Sequence, residues 1–283
     1  MNEVEPLCRR IKLIANPVAG GDALAKIRRV ESCLAERGAQ VETFLTSARG
    51  DAARAAVAAK AGGFDRLVVA GGDGTLNEVI NGLVPSSIPL AFVPLGTTNV
   101  FALEVGIPVD VEAACRIALH GVPTSICLGR ADEQRFLLMA GIGFDAEVVH
   151  GVDLGLKRRW GKLAYAVSAW RRFWQNPPAA IELILEDGRK MTGFGAIIGN
   201  GRLYGGRFSL TPGASLTEDA FEVCLLSRGG RWLEPAGAVL FKARDLTVSG
   251  ARGRVQLDGD PCGPLPMRFR AVAGELSMIL PGS

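Results

Sequence analysis

The chain has 283 residues, of which 48% are hydrophobic and 22% charged, a composition typical of a globular protein with about two domains. No apolar run approaches the roughly 18–20 residues that span a bilayer, and the first ten residues lack the apolar core of a signal peptide, so we expect a cytoplasmic protein. The net charge of +3 does not favour nucleic acid as a partner. Six cysteines without a Cys-x-x-Cys pair and only two histidines disfavour a disulfide framework and a zinc site.

Residues 1–123 alternate short apolar runs with longer, Ala-rich segments. The apolar runs at 11–15, 41–45, 67–70 and 89–93 are predicted strands. Helices are predicted over 22–37, 51–61 and 76–83, and Asp51 is expected to cap the second of them. This strand–helix alternation predicts an α/β N-terminal domain built on an open sheet.

The pattern changes after about residue 123. Strands are predicted over 125–130, 135–140, 180–186, 190–199, 220–226, 245–249, 255–257 and 267–269, separated by turns that contain Gly and Pro. They predict a mainly antiparallel β-sandwich or barrel-like second domain over residues 124–275, with one helix at about 159–174. The last strand, 276–280, lies in a C-terminal segment (276–283) that we expect to return to the first domain.

Three glycine-bearing loops each follow a predicted strand of the first domain, at 16–20, 71–75 and 94–99. Ligands of open α/β sheets bind beyond the carboxyl ends of the strands, so the three loops are expected to form one concave surface. Glycine lets the main chain approach phosphate oxygens, and amides at helix N-termini favour anions. Asp73, among three glycines, suits magnesium, a water molecule or an acceptor hydroxyl.

Each loop by itself is also a common structural turn, but three at successive strand ends favour a nucleotide site. None matches Gly-x-x-x-x-Gly-Lys-Ser/Thr, so an ordinary P-loop is excluded. None matches Gly-x-Gly-x-x-Gly either.

Five segments give the sequence a family resemblance. They are Asn16-Pro17-Val18-Ala19-Gly20, Gly71-Gly72-Asp73-Gly74-Thr75-Leu76-Asn77-Glu78, Pro94-Leu95-Gly96-Thr97-Thr98-Asn99, Gly141-Ile142-Gly143-Phe144-Asp145-Ala146 and Leu257-Asp258-Gly259-Asp260-Pro261. In this order they resemble the motifs of the diacylglycerol kinase catalytic family, which includes bacterial lipid kinases and sphingosine kinases. The resemblance covers almost the whole chain.

The resemblance implies an N-terminal domain like that of phosphofructokinase and NAD kinase, a β-sandwich C-terminal domain, and a nucleotide in the cleft between them. It implies transfer of the γ-phosphate of ATP to a lipid hydroxyl, with Mg²⁺ neutralising the triphosphate. The residues implied to contact ATP are Asn16, Pro17, Val18, Ala19, Gly20, Thr46, Gly71, Gly72, Asp73, Gly74, Thr75, Leu76, Asn77 and Thr97.

The implied catalytic base falls on Asp260, where the family has Glu. The shorter side chain withdraws the carboxylate by about one methylene, and proton abstraction depends on reach. Asp260 would therefore need a shifted backbone, a bridging water, or the help of Asp73 as a second catalytic carboxylate. The structural alternative is a hairpin turn at residues 258–260, which Asp-Gly favours.

The resemblance also implies a structural magnesium site, held by the side chain of Asp219 and the carbonyl oxygens of Leu216 and Phe221. The family usually has Gly where Ala220 stands. The structural alternative for this stretch is an ordinary solvated turn.

Residues 157–174 combine six basic residues with three of the four tryptophans. Basic residues beside Trp and Phe suit an anionic membrane surface and predict peripheral membrane contact. The alternative is a helix packed on the second domain.

Two other functions stay open. An NAD kinase-like or phosphofructokinase-like enzyme for small molecules shares the Gly-Gly-Asp-Gly loop, although Asn77 and Glu78 directly after that loop favour a lipid kinase. A non-catalytic lipid- or nucleotide-binding protein is suggested by Asp260. The sequence does not separate diacylglycerol, phosphatidylglycerol, a sphingoid base and ceramide as acceptors, and it leaves the oligomeric state open.

Overall fold

The computed structural model describes residues 10–143, 179–226, 238–251 and 254–282. They form two compact units. The first takes its residues from Met1–Leu128, Gly205–Phe208 and Ala273–Ser283, and the second from Gly129–Tyr204 and Ser209–Val272. The predicted helix at about 159–174 and the last three residues of the 141–146 motif lie outside the described residues.

The first unit is built on a parallel sheet of β1 (Arg10–Ala15), β2 (Gln40–Leu45), β3 (Arg66–Gly71) and β4 (Leu90–Pro94), in the order β2-β1-β3-β4. All residues of β3 and β4 are buried, as expected for central strands of a parallel sheet covered on both faces. These four strands confirm the predicted α/β class. Next to β4, in parallel, lies the C-terminal part of β18 (Met267–Leu280), which joins two segments predicted as separate strands.

Helices α1 (Ala23–Ala35), α2 (Asp51–Ala59) and α3 (Asp73–Leu83) connect the strands where helices are predicted. Two further helices, α4 (Val100–Val105) and α5 (Val111–His120), follow β4 and were missed by the sequence prediction. The prediction that Asp51 caps α2 is wrong. Its carboxylate accepts hydrogen bonds from Ser47 and Ala48 in the preceding loop, and Gly50 occupies the cap position.

The strands that follow α5 belong mostly to the second unit. Besides β18 they are β5 (Val122–Ala131), β6 (Gln134–Phe136), β7 (Met139–Gly143), β8 (Ile181–Leu185), β9 (Lys190–Gly193), β10 (Gly195–Gly199), β11 (Leu203–Tyr204), β12 (Phe208–Ser209), β13 (Phe221–Leu226), β14 (Ala238–Ala243), β15 (Asp245–Ser249), β16 (Arg254–Leu257) and β17 (Asp260–Pro264). The strands that form the two sheets of the second unit pair antiparallel, and β11 and β12 form a separate two-stranded sheet. One sheet has the order β14-β13-β10-β7-β16-β17. The other contains β15, β8, β9 and the first half of β18.

The two sheets of the second unit enclose its hydrophobic core. Buried residues of both sheets belong to one cluster, among them Leu183 and Phe269 on one side and Ile198 and Phe221 on the other. The ring of Phe136 stacks on that of Phe221 with 5.7 Å between centroids. This packing confirms the antiparallel β-sandwich class. The predicted strand at 135–140 is divided between β6 and β7, that at 190–199 between β9 and β10, and β14 was not predicted.

Candidate active site

The first glycine loop is tied to the second by Asn16, which follows β1. The main-chain N–H of Asn16 donates to the carbonyl of Ala70 (2.9 Å), and its Nδ2 donates to Thr75 Oγ1 (3.2 Å). Its Oδ1 accepts the N–H of Val18 (3.0 Å), which fixes the shape of the loop itself. One asparagine therefore sets both the turn after β1 and its distance from the loop after β3.

The third loop reaches the other two where only glycine leaves room. The N–H groups of Leu95 and Gly96 both donate to the carbonyl of Gly71, at 2.8 and 3.2 Å. A Cβ on Gly20, which has a φ of 81°, would lie 2.5 Å from the carbonyl oxygen of Leu95, and one on Gly96 would lie 2.8 Å from the Cα of Gly72. Positive φ and close main-chain approach together require glycine at position 20, and close approach alone requires it at position 96.

Asp73 joins the second loop to the helix that follows the third. Its Oδ2 accepts the N–H of Val100 (2.9 Å) and its Oδ1 that of Phe101 (3.1 Å), the first two amides of α4. Burial raises the pKa of Asp73, and this effect outweighs the two amide hydrogen bonds, which lower it. Its carboxylate is therefore an anchor within the first unit as well as a candidate catalytic group.

A fourth segment, the loop after β2, is held to the same sheet edge. The N–H of Thr46 donates to the carbonyl of Ala15 (2.9 Å), and the N–H of Gly50 donates to Glu78 Oε2 (2.9 Å). Bonds from Ser47 and Ala48 lower the pKa of Asp51 to about 2. The role of Glu78 was missed by the sequence prediction, although it stands directly after Asn77 in the central motif.

Asn99, the last residue of the third loop, was also missed as a site residue. It has a φ of 47°, and its Nδ2 donates to the carbonyl of Gly96 (2.7 Å). Its Oδ1 is buried and has no hydrogen-bond partner within the described part of the chain. Thr97, two residues earlier, is exposed at the loop surface.

A concave space adjoins the first loop. The cavity has a volume of about 530 Å³, and its lining residues are Pro17, Val18, Gly20, Asp22, Ala23, Leu24, Ala25 and Arg28. The first unit thus brings together the four predicted nucleotide-contacting segments. Their main-chain groups are suited to binding an anion such as a triphosphate.

In the second unit, Asp260 begins β17 directly after a tight hairpin turn. Leu257 pairs with Asp260, and the two residues between them, Asp258 and Gly259, have φ values of 48° and 90°. Positive φ at both central residues is typical of a type I′ turn. The predicted hairpin is therefore present, and it carries the candidate base at its exit. Asp260 is partly exposed.

The candidate magnesium site precedes β13. Asp219 Oδ2 pairs with the guanidinium of Arg244, whereas Asp219 Oδ1 is buried and lacks a partner among the described residues. Leu216 and Phe221 are buried on either side in sequence. In the described ranges no group of three His, Cys, Asp or Glu side chains could hold a metal, so an ion here would depend on carbonyl ligands. A buried carboxylate oxygen without a partner is a hard oxygen donor of the kind that Mg²⁺ prefers, so Asp219 Oδ1 fits one position of a magnesium donor set.

The parallel sheet with its joined glycine loops and the antiparallel sandwich define a class of fold that solved kinases share. A crystal structure of a diacylglycerol kinase from Bacillus anthracis superposes with a TM-score of 0.80 at 23% identity, covering 96% of this chain and 97% of that chain. An NAD kinase from Archaeoglobus fulgidus in complex with ATP gives a TM-score of 0.54 at 14% identity, covering 95% and 92% of the two chains. At these identities the likeness concerns the fold alone.

Sequence comparison identifies the family. Residues 10–131 match the diacylglycerol kinase catalytic domain. The chain is 30% identical to a diacylglycerol kinase from Bacillus subtilis, over 96% of this chain and 97% of the relative, and 32% identical to a YegS-like lipid kinase from Pseudomonas putida, over 90% of each. The chain belongs to the diacylglycerol kinase catalytic-domain family and is a kinase of the lipid kinase class.

Proposed function

We propose that this kinase transfers the γ-phosphate of ATP to a hydroxyl group of a lipid, with a diacylglycerol-like or sphingoid acceptor. The observation that carries the proposal is the joining of three glycine loops at one edge of the first unit's sheet, with contacts that leave no room for side chains at Gly20 and Gly96. Phosphoryl transfer depends chiefly on positioning and charge stabilisation, and loops held together by these contacts can position the phosphates and place N–H groups near their charge.

In this proposal the triphosphate lies against the loops that begin at Asn16, Gly71 and Pro94, with Thr46 and Thr97 at their margins. Main-chain N–H groups near the start of α3 stabilise phosphate oxygens. The side chains of Asn16 and Asp73 contribute mainly by holding the loops in register.

Of the two candidate catalytic carboxylates, we propose Asp260 as the base that accepts the proton of the lipid hydroxyl. Both oxygens of Asp73 accept main-chain hydrogen bonds, and these favour a positioning role for that residue. Asp260 directly follows a two-residue turn, and in this proposal the position of the backbone there compensates for a side chain shorter than Glu.

Magnesium enters the proposal in two places. A catalytic Mg²⁺ bound with ATP supplies charge neutralisation of the phosphates. A structural Mg²⁺ would be held by Asp219 and by the carbonyl oxygens of Leu216 and Phe221, and it would fix the segment that leads into β13. The orphaned Oδ1 of Asp219 supports this second site.

Access to the lipid is proposed to involve peripheral membrane contact from the cytoplasm. Within the described ranges, no helix combines the length and the apolar character needed to cross a bilayer. The basic and aromatic segment at 157–174 lies outside the described residues, and its composition alone supports contact with anionic lipid. Neutralising Arg158, Arg159, Arg171 and Arg172 should weaken binding to anionic liposomes and reduce its salt dependence. Unchanged binding would refute this contact.

The proposed activity is tested by incubating the purified protein with radiolabelled ATP, Mg²⁺ and a total lipid extract, and then identifying the labelled product. We expect a labelled phospholipid in the organic phase and turnover about 10²–10⁴-fold lower for Asp260→Asn. NAD serves as the control acceptor. Label transferred to NAD and not to lipid would overturn the proposal, and ATP binding without any labelled lipid would indicate a non-catalytic binding protein.

A further inference from the structure

One residue of the hairpin that carries Asp260, Asp258, binds three consecutive residues of a distant segment. Asp258 Oδ2 accepts the N–H of Leu137 (2.6 Å), and its Oδ1 accepts the N–H groups of Leu138 (2.8 Å) and Met139 (2.9 Å). In return, the N–H of Asp258 donates to the carbonyl of Met139 (2.9 Å). Hydrogen bonds to an ionised carboxylate are roughly twice as strong as neutral ones. Four bonds therefore hold this one residue to three consecutive residues of a distant segment.

Two buried amide side chains support the same arrangement. Asn200 is fully buried, and its Nδ2 donates to the carbonyl of Leu137 (2.7 Å). It therefore fixes residues 137–139, whose amides bind Asp258. Gln256, also buried, accepts the N–H of Gly259 at its Oε1 (2.7 Å) and so holds the turn from inside. The side chains of Asp258, Asn200 and Gln256 thus all stabilise the same position of the hairpin.

Apart from its hydrogen bond to Gln256, Gly259 at the tip of the turn is open: among the described residues, a Cβ built there would meet no atom within 4 Å. Asp258 holds a φ of 48°, a conformation that few side chains adopt without local hydrogen bonds. The anchors at Asp258 and Gln256 therefore act together with the pairing of Leu257 and Asp260 to set the direction of the chain leaving the turn.

We propose that Asp258 is a positioning residue for phosphoryl transfer. The hydrogen bonds that its carboxylate accepts from the amides of residues 137–139 orient the Asp260 carboxylate towards the acceptor hydroxyl. The inference rests on the proposed function, in which Asp260 accepts the proton. Misplacing a reacting group by about 1 Å can cost about 10²-fold in rate. Asp258 acts through Asp260 and does not itself exchange a proton with the substrate.

The test is a kinetic double-mutant cycle with Asp258→Asn and Asp260→Asn, using Mg-ATP and detergent-dispersed diacylglycerol. Asn tolerates the positive φ and keeps one acceptor oxygen. Its Nδ2 group, however, takes the place of the other oxygen and so sets a donor against a main-chain N–H. We expect Asp258→Asn to lower kcat about 10–100-fold with the KM for ATP unchanged within about twofold. In the Asp260→Asn background the same change should lower turnover by less than about twofold, because its target is already removed.

Asp132→Asn is the matched control. Asp132 also has a φ of 48° in a hairpin turn of the second unit, and its Oδ1 accepts one N–H, that of Arg268 (3.1 Å). It should leave kcat unchanged. If Asp258→Asn does not fold, Asp258→Gly takes its place in the cycle, since glycine adopts this φ freely and presents no donor to the three amides.

The positioning role alone would be overturned by any of three results. These are equal rate losses from Asp258→Asn in the wild-type and Asp260→Asn backgrounds, wild-type kcat in the Asp258→Asn single variant, and an equal loss of kcat from Asp132→Asn. Wild-type protein that labels no lipid, or Asp260→Asn with full turnover, would instead remove the proposed function and the inference with it.

Discussion

Replacing Gly20 with Ala tests whether the nucleotide surface depends on the close approach of the first and third loops. The added Cβ would lie 2.5 Å from the carbonyl oxygen of Leu95, about 1 Å short of the roughly 3.5 Å of an ordinary contact. The φ of 81° adds about 1–2 kcal/mol of strain for any residue with a Cβ. Because the clash is with backbone, a side-chain rotation cannot relieve it.

The two loops must therefore separate by about 1 Å, or the fold must absorb the strain. We expect the free energy of unfolding to fall by about 1–3 kcal/mol. We expect ATP to bind about 10–100-fold more weakly, since losing one hydrogen bond to a charged phosphate costs about 1.5–3 kcal/mol and each 1.4 kcal/mol is about tenfold in affinity. Isothermal titration calorimetry with Mg-ATP measures the affinity, and urea unfolding measures the stability.

Gly21→Ala is the matched control, because Gly21 lacks the left-handed φ of Gly20 and a Cβ there would meet no atom of the described residues within 4 Å. It should keep wild-type affinity for ATP. Gly20→Ala with wild-type affinity, or equal losses in both variants, would refute the reasoning that close loop approach shapes the nucleotide surface.

Three further changes test other anchors. Asp51→Asn should be less stable than wild type. The difference in the free energy of unfolding should be full above the ordinary pKa of 3.8 and vanish as pH falls towards about 2, where the carboxylate of the folded protein becomes protonated. Unfolding measured from about pH 6 to about pH 2 tests this. Mg²⁺ at about 100 times its Kd should stabilise wild type by about 2.7 kcal/mol but not Asp219→Asn, with Asp187→Asn as a control that keeps the response. Gly82→Ala should lower the free energy of unfolding, measured in urea, by about 1–3 kcal/mol, because the added Cβ would lie 2.2 Å from the carbonyl oxygen of Ala53 on α2. A gain in stability would contradict this.

Periodicity located the four parallel strands and the first three helices because each has a long, regular apolar pattern. It missed α4, whose six residues are too few to show a helical period and whose first two amides bind Asp73, far away in sequence. It likewise placed Asp51 at a helix cap, since a pattern cannot distinguish that position from an anchor for the loop before the helix.

The candidate site was predictable as a set of loops but not as a set of contacts. Strand ends and glycines located the three segments, because parallel strands bring their carboxyl ends to one edge. The contacts between Gly20 and Leu95, or between Asp258 and residues 137–139, join residues far apart in sequence and depend on register. The Asp-Gly pattern indicates a turn at Asp258, but it carries no sign that this carboxylate accepts three amide hydrogen bonds while Asp260 is partly exposed.

The roles of the two candidate carboxylates can be separated by one comparison. Asp73 receives amide hydrogen bonds at both oxygens, so Asp73→Asn places an N–H donor against Val100 or Phe101 and loosens the start of α4. We expect it to weaken ATP binding about tenfold and to lower stability by about 1–3 kcal/mol, the cost of leaving a buried donor unpaired. Asp260→Asn should instead leave ATP affinity unchanged and lower kcat, because a general base acts on the acceptor proton. Calorimetry with Mg-ATP and initial rates with dispersed diacylglycerol measure the two effects on the same preparations. If Asp73→Asn lowers kcat about 10²-fold or more at wild-type ATP affinity and stability, then Asp73 is a catalytic carboxylate, and the anchoring role assigned to it here is wrong.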